Sequence, residues 1–113
     1  MTMVDDAYCV ELSSESLFDI QGIVFYISNN LYAPSVADRI ATDLLNKAST
    51  LSLFPHRYPV AYIGKSKIKY HRMNIEDYSM FYFIDEEKKK VIIARVLHET
   101  SDYPNHLNDV VSE

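Results

Sequence analysis

The chain contains no tryptophan, a single cysteine, two glycines and four prolines among its 113 residues. One thiol, Cys9, cannot build an internal disulfide framework, which points to a reducing compartment. So few glycines and prolines exclude linker or low-complexity material. No apolar run approaches the roughly 18 residues of a membrane span. Met1 to Leu12 carries Asp5, Asp6 and Glu11 and no apolar block of signal-peptide length. A cytoplasmic location is therefore expected. Cys9 and the four methionines form no metal pattern, and no His, Cys or Asp cluster has zinc-like spacing.

What is present is apolar and aromatic. Hydrophobic residues make up 48% of the chain, with nine tyrosines and five phenylalanines. That suffices for one domain, 1–113, with a real core. Tyrosine suits half-buried sheet faces, because one end of it is apolar and the other is wet. The net charge is −5, unlike the basic balance of a dedicated nucleic-acid binder. The charge is uneven. Residues 56–75 hold Arg57, Lys65, Lys67, Lys69 and Arg72 and no acid, on an otherwise acidic chain. This segment can present a local positive field; the plainer assignment is a solvated strand face.

Periodicity gives the elements. Ala7 to Leu12 reads as a short strand, followed by the capping residues Ser13 and Ser14. Leu17, Ile20, Val24, Ile27 and Leu31 recur at helical spacing, with Phe18 and Phe25 widening the stripe. This predicts a helix from about Glu15 to Asn29, closed by Asn29 and Asn30, which tolerate a left-handed C-cap. Pro34 suits the first turn of a second helix running to about Thr50, with Ser35 and Asp38 as a capping box. Its apolar face is Ala37, Ile40, Ala41, Leu44, Leu45 and Ala48. The short link predicts an antiparallel helical hairpin. Residues 53–59, with Pro55 and Pro59, read as an extended aromatic exit lying on the sheet. Strands are expected at Lys65 to Met73, Tyr78 to Ile84 and Lys90 to His98, the last the most apolar and the best central candidate. A charged turn, Asp85 to Lys89, joins the last two. Asp102 to Val111 reads as a tail or helical turn.

The expected fold is α+β: an N-terminal strand, then an antiparallel helical hairpin packed on a mainly antiparallel sheet. Its local sequences resemble one family. Asp19 to Leu31, ending Tyr26-Ile27-Ser28-Asn29-Asn30-Leu31, resembles the first helix of the RelE/ParE toxin superfamily of bacterial type II toxin–antitoxin systems, the plasmid-stabilisation type. The block Ala37 to Leu53 with Phe54-Pro55-His56-Arg57-Tyr58-Pro59 is similar to its second helix. Tyr78 to Asp85, Val91 to Leu97 and Asp102-Tyr103 are similar to its later strands and ending. The resemblance spans residues 8–107.

It implies a growth-arresting toxin neutralised by a cognate antitoxin that wraps the hairpin and sheet, with no cofactor. Some members cut messenger RNA at the ribosome; others bind and poison DNA gyrase. Metal-free RNA cleavage needs a base, an acid and cations at the phosphate. Candidate catalytic residues are Arg72, Arg95, His98, Tyr82 and Tyr103, with Arg57 and His71 behind them. Arginine offers a fixed fork for phosphate oxygens, and an imidazole carries protons near neutral pH. The plainer assignments are an ion pair for Arg95, sheet packing for Tyr82 and ordinary surface for His98. Thr100 and Ser101 stand where many relatives carry paired arginines, and Glu99 adds a negative charge. That weakens phosphate stabilisation at the expected spot. The alternative function is a non-toxic relative that binds an antitoxin-like peptide by its apolar helix face.

Overall fold

A computed structural model describes residues 7–62 and 65–99. Strand β1, Cys9–Leu12, leads straight into helix α1, Ser14–Phe25. Ser13 builds this junction. Its Oγ accepts the Ser16 N–H at 3.1 Å, donates to the Ala94 carbonyl at 3.0 Å, and its own N–H donates to the Ile93 carbonyl. One serine thus caps a helix and ties it to the sheet.

α1 runs on without a break into a wider π turn, Tyr26–Asn30. The helix ends where the asparagines predict, but by another route. Asn29 donates back to the Phe25 carbonyl, and the left-handed residue is Tyr32, at φ 53°. Helix α2, Pro34–Ser49, opens on its proline as expected. Ala33 holds the N-cap position and no side chain caps it, so Ser35 and Asp38 do not form the expected box.

The two helices pack on one face of the sheet, as the periodicity predicts. α2 buries Ala37, Ile40, Leu44 and Ala48, one face of a helix at steps of three and four. α1 buries Ser16 and Ile20, with Ile23 and Val24 partly covered, and the π turn after it buries Ile27. Phe18 and Phe25 do not widen that face. They sit roughly opposite Ile20 on the helix and are 73% and 65% exposed. Leu17, Leu31 and Leu45 also lie outside the core.

After α2 the chain makes two short 3-10 turns, Thr50–Ser52 and Pro55–Arg57, rather than an extended exit. Phe54 between them is left-handed, and the Arg57 guanidinium donates to the Leu53 and Phe54 carbonyls. Strand β2, Val60–Ala61, follows. Then come β3, Tyr70–Ile75, β4, Tyr78–Asp85, and β5, Lys90–His98. β3 starts five residues later than the lysine alternation predicts. β2 is two residues long and pairs with His71 and Tyr70, so it offers residues 65–69 no ladder.

The sheet order is β1-β5-β4-β3-β2, with β1 parallel to β5 and the other pairs antiparallel. β5 is an interior strand, as its composition predicts, although β4 holds the centre. Met73, Met80, Tyr82, Val91, Ile93 and Val96 meet the helices in the main core. Tyr70, Phe81, Ala94 and Leu97 form a smaller cluster on the other face. The β4–β5 register slips between Phe81 and Tyr82, whose partners are Arg95 and Ile93, leaving Ala94 as an extra residue on β5. Among the described residues no helix is long and apolar enough to cross a membrane. The expected tail at 102–111 lies outside the described residues.

Candidate functional site

The outward side of α1 and of the π turn after it is apolar. Phe18, Tyr26 and Leu31 stand on it, and Val36 faces them from the first turn of α2. Between these walls and the ends of β4 and β5 runs an open groove of about 680 Å³. Its floor is Ile23, Ile27, Ile40, Val96 and Leu97, and its far end is polar, with Asp77, Tyr78 and His98. A concave apolar surface with a few convergent polar groups is the usual form of a binding site.

One wall is anchored by an ion pair. Asp19 on α1 accepts from Arg95 Nε at 2.7 Å and from the terminal guanidinium nitrogen at 2.9 Å. The same carboxylate accepts the Val96 N–H at 2.9 Å, just past the bulge. The two side chains are only 13% and 15% exposed. The hydrogen bond it donates to Asp19 holds the Arg95 guanidinium above its ordinary pKa, against the burial that opposes it. The polar end of the groove is acidic in character. Burial, then the charges of Asp77 and Glu76, raise the Tyr78 phenol. The His98 ring meets the Tyr78 ring edge-on, with centroids 5.5 Å apart.

Among the described residues the candidate catalytic groups do not converge. Arg95 is held by Asp19 in a structural pair. Tyr82 lies in the core with no exposed surface, and its hydroxyl donates to the Pro55 carbonyl at 2.6 Å. Burial pushes that phenol far above its ordinary range, so it is a poor proton donor to anything outside. Arg72 pairs across strands with Phe81, on the face away from the helices. His98 pairs with Tyr78, which packs on the helix side. Arg72 and His98 are thus on opposite faces, three residues and two strand spacings apart, on the order of 14 Å between backbones. His71 is buried, stacks on Tyr82 and donates from Nδ1 to the Tyr58 carbonyl. Arg57 closes its own turn. Tyr103, Thr100 and Ser101 lie outside the described residues.

A second polar cluster lies at the β4–β5 turn. Tyr8 and His56 both bond the Glu86 carboxylate, and Lys89 stands over the Tyr8 ring. Hydrogen bonds from Tyr8, then His56, hold the Glu86 carboxyl below its ordinary range. These exposed contacts pin β1 to the sheet end. Among the described residues no group of three or more His, Cys, Asp or Glu could hold a metal ion.

A groove between hairpin and sheet is expected from the sequence, but its wall residues are not, because two stripes on α1 read as one. Phe18, Gly22, Phe25, Tyr26 and Leu31 form a second line, offset from Ile20, Ile23, Val24 and Ile27. An aromatic pair a turn or two off the buried stripe was the available signal.

Known proteins agree with this architecture. The chromosomal ParDE toxin–antitoxin system of P. aeruginosa contains a chain that is 13% identical, with a TM-score of 0.67 over 82% of this chain and 97% of that one. The RelBE2 toxin–antitoxin complex of Mycobacterium tuberculosis gives 21% identity and a TM-score of 0.61, covering 84% and 94%. The archaeal RelE–RelB complex of Pyrococcus horikoshii gives 14% and 0.58, covering 83% and 97%. At these identities the likeness speaks for the fold. No curated protein sequence matches the chain. The family model for the ParE toxin of type II toxin–antitoxin systems, parDE, matches residues 10–103. With that match spanning most of its length, the chain belongs to the ParE toxin family, within the RelE/ParE superfamily.

Proposed function

We propose that this chain arrests bacterial growth by binding DNA gyrase, not by cutting messenger RNA, and that a cognate antitoxin neutralises it by lying in the α1–α2 groove. The observation that supports the target is the dispersal of the candidate catalytic groups among the described residues. Phosphoryl chemistry on RNA needs an acid, a base and cations within reach of one phosphate. Arg95 is spent on Asp19, Tyr82 is inside the core, and Arg72 and His98 face opposite ways. The net charge of −5 further opposes docking on ribosomal RNA. Binding a protein target needs no such constellation. The family match supports the toxin role, and relatives of the same fold include toxin–antitoxin complexes. A groove lined by Phe18, Tyr26, Leu31 and Val36 suits an apolar helix presented at i, i+3, i+4 and i+7.

Induced expression in a bacterial host without any partner tests this. Growth stops, DNA breaks accumulate, the DNA-damage response rises, and transcript ends show no codon-positioned cuts. Codon-positioned cuts without DNA breaks would assign the nuclease mode instead. Normal growth with soluble, folded protein would assign the non-toxic interaction module.

A further inference from the structure

Gly22 is one of two glycines in the chain, and it stands inside α1. A glycine in a helix interior is unfavourable relative to alanine. Among the described residues the fold gives no reason for it: a Cβ at Gly22 would meet nothing within 4 Å, and the backbone there is helical. What the missing side chain leaves is a gap on the groove wall. Residues four apart are neighbours on a helix surface, so Gly22 lies between Phe18 and Tyr26, which are 73% and 54% exposed. The helix widens directly after this point: the Tyr26 N–H is shared between the carbonyls of Gly22 and Ile23 at the start of the π turn. Such widenings recur at functional sites.

The groove extends along α1 and the π turn from Phe18 to Leu31, roughly 20 Å or slightly less, enough for about three turns of a partner helix. One end of it is acidic. Asp77 lines that end, and its backbone carbonyl accepts the Glu99 N–H, which brings a second acid alongside.

We propose that Gly22 is the notch that receives the partner. The antitoxin segment in this groove is an amphipathic helix, with one bulky apolar side chain seated on the bare backbone at Gly22, between Phe18 and Tyr26. A Lys or Arg of the same helix faces Asp77. This rests on the reading of the groove as the antitoxin's seat and adds which residue sets the fit. A partner seated at this point gives a reason for a glycine that costs the helix stability.

The probe is the purified product of the reading frame adjoining this one, titrated against the wild-type chain and the variants Gly22→Ala, Gly22→Leu and Asp77→Lys. Gly22→Ala melts at or above the wild-type temperature yet binds about tenfold more weakly, and Gly22→Leu loses on the order of a hundredfold. Asp77→Lys weakens binding at low salt, and the difference shrinks at high salt. A Gly22→Leu chain that is folded and binds like the wild type overturns the notch and leaves the toxin reading standing. Asp77→Lys binding equal to wild type at low salt overturns the charged end. A wild-type chain that does not bind this product at all overturns both the notch and the antitoxin reading.

Discussion

Replacing Asp19 with alanine is expected to lower the unfolding free energy by about 3–5 kcal/mol. Two groups lose their acceptor at once. The Arg95 guanidinium, 15% exposed, would keep its charge with no counter-ion beside it. The Val96 N–H, past the last residue of β5 that pairs with β1, would have no carboxylate to meet it. A buried donor left without a partner costs about 1–3 kcal/mol by itself. Asp19→Asn should be milder, since an amide oxygen still accepts one of these bonds. Replacing both partners with apolar residues of similar volume should recover much of the loss, because the desolvation cost of the pair then disappears as well. Urea unfolding of the four proteins checks this through the midpoint at constant slope. An Asp19→Ala midpoint close to wild type would mean that the pair is solvated and does not hold α1 to β5.

Leu44→Ala should cost about 2–5 kcal/mol, the range for deleting a fully buried leucine where the surroundings relax only in part. Leu44 has no exposed surface and lies in the α2 stripe between Ile40 and Ala48, against the main core of the sheet. In a domain of this size such a loss lowers the melting temperature on the order of 10 °C or more. The neighbouring Leu45, 45% exposed, supplies the control. Leu45→Ala should stay within about 0.5 kcal/mol of wild type. Equal losses at both positions would mean that α2 is rotated from the face described here.

The contrast between Leu44 and Leu45 shows where the sequence was legible. Ala37, Ile40, Leu44 and Ala48 repeat at helical spacing, and each lands in the core. Val91, Ile93, Val96 and Leu97 read as a buried strand and form one, beside β1 and β4. Pro34 marks the start of α2 because proline is tolerated there and hardly anywhere later in a helix. The order of one strand, two helices and a meander follows from such local rules; the family rests on the likeness of the local sequences and on the family match over residues 10–103.

What local rules do not contain is the partner of each element. The lysine alternation at 65–69 has the period of a strand, but a strand needs a neighbour, and β2 is too short to supply one. Phe18 and Phe25 look like core by hydrophobicity. Only the packing of α1 on β5 decides that they face outward. The candidate catalytic residues were chosen by type and by position along the chain. Their faces depend on the strand register and on a bulge that moves Arg95 toward Asp19. Asp19 itself, the most heavily bonded carboxylate of the groove wall, carries no sequence signal beyond being an acid on a helix. An ion pair for Arg95 is readable from a charge inside an apolar strand; its partner, 76 residues away on α1, is not.

The central claim is that the toxin acts by occupying a protein target. It is tested most directly by adding the purified chain to DNA gyrase during supercoiling of relaxed plasmid. Supercoiling should fall as the chain is titrated in, and should recover when the product of the adjoining reading frame is added. Full supercoiling at a molar excess of folded chain would contradict the claim.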